Sequence, residues 1–214
     1  MNDDYKIQGN WGQVAQLKAG FDVFDKDGKL IESRMWDSKS YTRWFSRIVK
    51  GMFEFTNPTL TDIDGNAFTM ILANDSSFQN VNMIKKFNRL DSTSYGPDYT
   101  GAMLAIGNGA LTGEDSSFYT LKSIIDTPVN SRVSTSTITE DATTLDFQIA
   151  QGITIVNASG ETVTEIGLFA RLRQRGSGAG SIRQVLMAYD EVNPGIFVPN
   201  GGVIAPKYTL SFPA

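Results

Sequence analysis

Short runs of alternating apolar and polar residues, broken by Gly, Asn and Ser, fill the second half of this 214-residue chain, and only one segment carries a helical stripe. That pairing of signals limits the fold more than any other feature. In Glu165-Ile166-Gly167-Leu168-Phe169-Ala170-Arg171-Leu172-Arg173 the even positions are apolar and the odd ones mostly are not. Leu145, Phe147 and Ile149 alternate with Asp146 and Gln148, and Tyr208, Leu210 and Phe212 alternate with Lys207, Thr209 and Ser211. Residues 182–189 and 153–156 supply further strands, with turns at residues 157–160 and 175–180. Period-two patterning with no interleaved helices argues for antiparallel sheets and against a parallel α/β architecture.

Residues 40–55 hold the single helix. Tyr41, Trp44, Phe45, Ile48, Val49, Met52 and Phe55 fall at i, i+3, i+4, i+7, i+8, i+11 and i+14, while Arg43, Ser46, Arg47, Lys50 and Glu54 take the other face. Asp37, Ser38 and Ser40 are candidate N-caps, and Asn57-Pro58 closes the helix. Hairpins flank it. Residues 21–24 and 29–36 surround Asp25-Lys26-Asp27-Gly28, and residues 60–63 and 67–72 surround Asp64-Gly65-Asn66. The fold class expected is mainly β: an antiparallel β-sandwich, jelly-roll-like, with one amphipathic helix packed on it. Residues 1–20 read as an N-terminal arm or linker and residues 21–214 as one β-rich domain. Within it, residues 73–100 form a long polar interface loop that could also mark a subdomain boundary.

The chain contains no His and no Cys. Cys-ligated zinc, iron–sulfur clusters, disulfides, thiol nucleophiles and His-based triads are therefore excluded, leaving carboxylate or Lys chemistry open. The acidic, polar start Met1-Asn2-Asp3-Asp4 does not resemble a signal peptide, and the apolar runs are too short to cross a bilayer, so synthesis and first folding in a cytosol are expected.

Candidate sites compete with plainer readings. Aligning Gly28 or Gly65 with the glycine of an EF-hand loop puts Val23 and Arg34, or Leu60 and Ile71, at its first and last positions, so both segments read as hairpin turns. Gly107-Asn108-Gly109-Ala110-Leu111-Thr112-Gly113 has its third glycine one residue late for a dinucleotide loop, and no helical pattern follows. The acidic pairs Glu114-Asp115, Glu140-Asp141 and Asp190-Glu191 read as solvated turns or strand ends rather than as the two acids of a glycosidase. No catalytic, cofactor-binding or metal-ligating residue is assigned.

Charge is unevenly spread. Residues 108–170 hold eight acids and two bases, whereas residues 171–183 hold Arg171, Arg173, Arg175 and Arg183 with no acid. This stretch is either a solvated edge or a surface that meets an acidic patch on a neighbouring copy or partner. Phe169 sits on the outward phase of its strand beside Arg171 and Arg173, where an aromatic ring needs a second layer or a partner. Phe169, Arg171, Arg173, Arg175 and Arg183 are thus the candidate interface. No nucleic-acid recognition motif accompanies them.

The order of elements carries a resemblance. A hairpin with Asp25-Lys26-Asp27-Gly28-Lys29 leads to Ser38-Lys39-Ser40-Tyr41-Thr42-Arg43-Trp44-Phe45, then a second Asp-Gly hairpin and Leu104-Ala105-Ile106-Gly107-Asn108-Gly109. Val163-Thr164-Glu165-Ile166-Gly167-Leu168-Phe169-Ala170 and a last strand after a Gly/Pro turn follow. Over residues 20–214 this resembles virion structural proteins of phages and related prokaryotic viruses, of tail, connector or capsid-associated type. Where similar proteins carry a Pro/Thr-rich run, this chain has Gly113-Glu114-Asp115-Ser116-Ser117-Phe118-Tyr119. The resemblance implies a non-enzymatic virion subunit, repeated in a tail, head–tail connector or capsid-associated ring, with copies of itself and other virion proteins as partners. It brings no catalytic residues. The alternatives are a surface-exposed module that recognises a receptor or glycan, with Tyr5, Trp11, Tyr95 and Tyr99 as stacking candidates, and a carboxylate-based hydrolase.

Overall fold

The computed structural model describes residues 16–38, 41–54, 56–70, 101–113, 115, 117–125, 132–140, 144–173 and 182–213. Among the described residues ten strands and one helix follow in order: β1 (Gln16–Phe24), β2 (Leu30–Asp37), α1 (Arg43–Glu54), β3 (Thr59–Thr61), β4 (Ala67–Thr69), β5 (Gly101–Gly107), β6 (Arg132–Glu140), β7 (Thr144–Thr154), β8 (Glu161–Arg173), β9 (Ile182–Val198) and β10 (Val203–Pro213). Two antiparallel sheets form the sandwich, one with strand order β2-β1-β10-β7-β6 and one with order β5-β8-β9, and β3 and β4 make a separate hairpin. The expected antiparallel sandwich with one packed helix is what forms.

Alternation decides what lies between the sheets. Leu17, Ala19, Phe21 and Val23 of β1, Ile149 and Ile153 of β7, and Ile204 and Tyr208 of β10 point inward. They meet Leu104 and Ile106 of β5, Val163 and Ile166 of β8, and Ala188, Val192, Ile196 and Val198 of β9. Polar side chains line the middle of the larger sheet's outer face. Lys207 Nζ lies 2.8 Å from Asp22 Oδ1, Ser33 Oγ donates to the same oxygen at 2.6 Å, and Gln148 donates to Thr209 at 3.0 Å.

Helix α1 buries Trp44 and Ile48 against Leu60, Phe68, Met70, Ala170, Leu172, Val185 and Met187, and exposes Arg43, Ser46, Arg47 and Lys50. Of the stripe read from the sequence, Trp44 and Ile48 are buried and Tyr41, Phe45 and Val49 partly buried, while Met52 and Phe55 lie outside the described side chains. Its N-cap is Thr42, whose Oγ1 accepts the Phe45 N–H at 3.5 Å and donates to the Leu186 carbonyl at 2.6 Å. A bulge allows this. Leu168 pairs with Ala188 and Phe169 with Leu186, which leaves Met187 out of the ladder with its carbonyl free to accept the Thr42 N–H at 3.0 Å.

Residues 16–20, read from the sequence as part of an arm, are instead the start of β1, paired with β10 from Gln16, while residues 1–15 lie outside the described residues. Strand β7 runs unbroken from Thr144 to Thr154, taking in part of the stretch that the sequence reads as a separate strand at 153–156. Strand β9 continues through Pro194 and Gly195, since Val163 pairs with Ile196 and Glu165 with Glu191, leaving four residues bulged opposite Thr164. As an edge strand, β9 can lose the ladder bond that proline cannot donate. Strand β6, Ser/Thr-rich and at the other sheet's edge, has no apolar alternation to announce it. The 73–100 loop lies outside the described residues.

Phe169 is fully buried, packed with Ala105, Leu121, Leu186 and Tyr189 and flanked by Ile63, Met103 and Phe118. Phe169→Ala therefore costs about 3–5 kcal/mol of stability in the isolated chain, read from urea denaturation. A partner-facing ring would leave that stability nearly unchanged.

Candidate interface and its buried carboxylates

The three-stranded sheet has two faces. One meets the larger sheet, and described residues within 108–113 and 117–125, Phe118 and Leu121 among them, cover the other. Glu165, on β8, is fully buried on that second face. Its Oε1 accepts the Gly109 N–H at 2.8 Å and the Ser123 N–H at 3.1 Å, and its Oε2 accepts the Lys122 N–H at 2.9 Å. A buried carboxylate is tolerated only when its lone pairs are filled, and three backbone donors fill them here. Glu191, beside it on β9, accepts the Thr112 and Gly113 N–H groups at 3.0 and 2.9 Å and pairs with Lys122 Nζ at 2.5 Å. The Lys122 ammonium also lies 5.4 Å from the Tyr189 ring centre and 5.5 Å from that of Phe118.

This clamp explains the first two glycines of the Gly107–Gly113 motif, while Gly113 answers to its φ of 95°. A Cβ on Gly107 would fall 2.6 Å from Glu165 Oε1 and 2.6 Å from the Ser123 carbonyl oxygen, and one on Gly109 would overlap the Glu165 carboxylate. The glycines let backbone approach a carboxylate; they form no phosphate cradle.

Asp190 and Glu191 do not converge. Neighbours on a strand point to opposite faces, so Asp190 turns inward and accepts from Trp36 Nε1 at 3.1 Å and Ser38 Oγ at 2.9 Å. The sequence reads both acids as solvated; in the structure both hold the chain together. The other two pairs each include one residue, Glu114 or Asp141, outside the described residues. In the hairpins Asp25 Oδ1 accepts the Asp27 and Lys29 N–H groups, each at 2.9 Å, and Asp62 Oδ1 accepts those of Asp64 and Asn66 at 3.1 and 2.7 Å. Gly28 and Gly65 follow with φ of 80° and 81°. Both are turns stapled by an aspartate, as the EF-hand mismatch required.

The expected interface is rearranged. Phe169 has its second layer in its own chain, in Phe118 and Leu121, and offers no ring to a neighbour. Arg183 Nη1 meets Asp62 Oδ2 at 3.0 Å, joining β9 to the β3–β4 hairpin. Arg171 and Arg173 sit on β8 opposite Gln184 and Ile182, while Arg175 lies outside the described residues. Exposed apolar side chains lie elsewhere: Leu30, Ile31 and Met35 on β2 and Ile138 on β6, the two edge strands of the larger sheet among the described residues, with Val156 and Phe197 exposed away from those edges. Sequence periodicity misses these because it gives faces but not the order of strands.

Against family models, curated proteins and solved structures, the chain finds no match.

Two consequences can be measured. Glu165→Gln turns an NH2 donor toward backbone donors and costs about 2–3 kcal/mol in urea denaturation. Burial pushes the Glu191 carboxyl up, but the Lys122 ammonium and the two backbone N–H groups outweigh it and hold it below the usual carboxylate range. Asp22 is held low in the same way, with burial opposed and outweighed by Lys207 and Ser33. Stability from these lowered groups is complete above the unfolded carboxylate values and is lost as pH falls through the lower folded ones. The thermal midpoint therefore drops below about pH 4, and Lys122→Met, less stable at neutral pH, shows a smaller drop.

Proposed function

We propose that this chain is a non-enzymatic structural component of a virion, a subunit repeated in a tail, head–tail connector or capsid-associated ring. The observation that carries the reading is the pair of open edges. Among the described residues no strand lies beyond β2 or β6, and Leu30, Ile31, Met35 and Ile138 are each at least half exposed there. Edges of that kind are costly to leave bare in a protein that works alone, because unpaired backbone groups and apolar side chains together template association. In an assembly they become the joints. The use of the acids agrees: the buried Glu165, Asp62 and Asp190 and the part-buried Glu191 accept from donors of their own chain. The motifs running from the first Asp-Gly hairpin to the Glu165 strand point toward phage and related viral particles.

Tandem mass spectrometry of purified particles from the virus whose genome encodes the chain is expected to recover it in many copies per particle. Its absence from particles that are otherwise complete would sink the reading.

A further inference from the structure

Strand β2 is complementary to its own reverse. From Ile31 to Met35 the residues are Ile, Glu, Ser, Arg and Met: apolar, acidic, neutral, basic, apolar. From this self-complementarity, Glu32 and Arg34 being equidistant from Ser33 and opposite in charge, we infer that β2 pairs antiparallel with β2 of a second copy, centred on Ser33, joining two five-stranded sheets into one. The inference deepens the assembly reading above, on which its biological use rests, by naming one joint and its occupant.

Such a pair sets Ile31 opposite the second copy's Met35 and Glu32 opposite the second copy's Arg34, each twice by symmetry. The faces agree. Ser33 bonds to Asp22 on the outer face, so Ile31 and Met35, both half exposed, stand on that face with it. Glu32 and Arg34 take the inner face, where the Arg34 guanidinium lies 5.6 Å from the centre of the Phe21 ring and Arg34 Nη1 donates to the Pro194 carbonyl at 2.8 Å. Arg34 Nε also pairs with Glu32 of its own strand. Two strands so arranged carry four alternating charges, with each carboxylate between two guanidinium groups.

Charges on an edge strand ordinarily block pairing. Here they choose a partner instead. Sliding the pair two residues one way brings Glu32 opposite Glu32, and two residues the other way brings Arg34 opposite Arg34; the Ser33-centred register avoids both. The bulge where Leu30 meets Phe24 ends the regular strand, so the ladder covers residues 31–35.

Sedimentation velocity of the full chain from about 1 to about 100 μM tests the proposal. A concentration-dependent dimer is expected. Glu32→Arg should weaken it at least tenfold, since attraction becomes repulsion at two symmetric places, and adding Arg34→Glu should restore it to within about threefold. Because these changes also alter the ion pair within the strand, Ile31→Lys serves as a second variant. It should weaken the dimer similarly and leave the monomer's thermal midpoint unchanged. A wild-type monomer at the top concentration, a dimer indifferent to Glu32→Arg and Ile31→Lys, or a folded double variant that does not recover would each overturn it. A β2 dimer missing from particles would refute the virion reading alone, and a particle protein indifferent to these changes would refute the pairing alone.

Discussion

A three-stranded sheet with apolar side chains on both faces has only one partner sheet to lie against. Everything distinctive in this chain follows from covering the second face. Ala105, Phe169, Leu186 and Tyr189 lie there, and Phe118 and Leu121 close over them. A covering segment has no ladder of its own, so its backbone donors must be satisfied individually. Glu165 and Glu191 do this from the sheet side, and Lys122 supplies the counter-charge from the cover. Gly107 and Gly109 are glycines because the carboxylate sits where a side chain would be.

The same device recurs wherever elements without a shared ladder must be joined. Gln151, buried on the inner face of β7, accepts the Leu104 N–H at 2.9 Å and so caps a donor of β5 from across the core. Asp190 gathers Trp36 and Ser38 from the larger sheet, and Asp62 staples its hairpin while pairing with Arg183. Each polar side chain occupies a strand or turn position from which it reaches another element. Burial raises the cost of losing any of these bonds, because the abandoned group has no water to turn to. The acids of this protein thus act as mortar. What remains for partners lies at the sheet's rims.

How far the sequence can be read depends on the range of the interaction. The Trp44–Ile48 stripe, the Asp25 and Asp62 turns and the alternation of β7, β8 and β10 are local and legible. The candidate site is not. Periodicity puts Phe169 on the outward phase correctly, but its cover comes from Phe118 and Leu121, too far back in the chain for any periodic signal. Glu165 stands in an apolar strand whose pairing partner ends in a Gly-x-Gly segment, a combination that could have marked a buried acid seeking backbone donors. Strand β6 is illegible because Ser and Thr alternate there without an apolar face.

By itself, the amino-acid order determined the β architecture, the single helix with its buried stripe, the turn chemistry, and the exclusion of imidazole and thiol chemistry. Those depend on spacing and on which side chains exist. Only the tertiary structure decided which strands became edges, which acids were buried, and that Phe169 belongs to the interior while Ile31 and Met35 face solvent. Strand order and burial are set by contacts between segments far apart in the chain, and no local pattern records them.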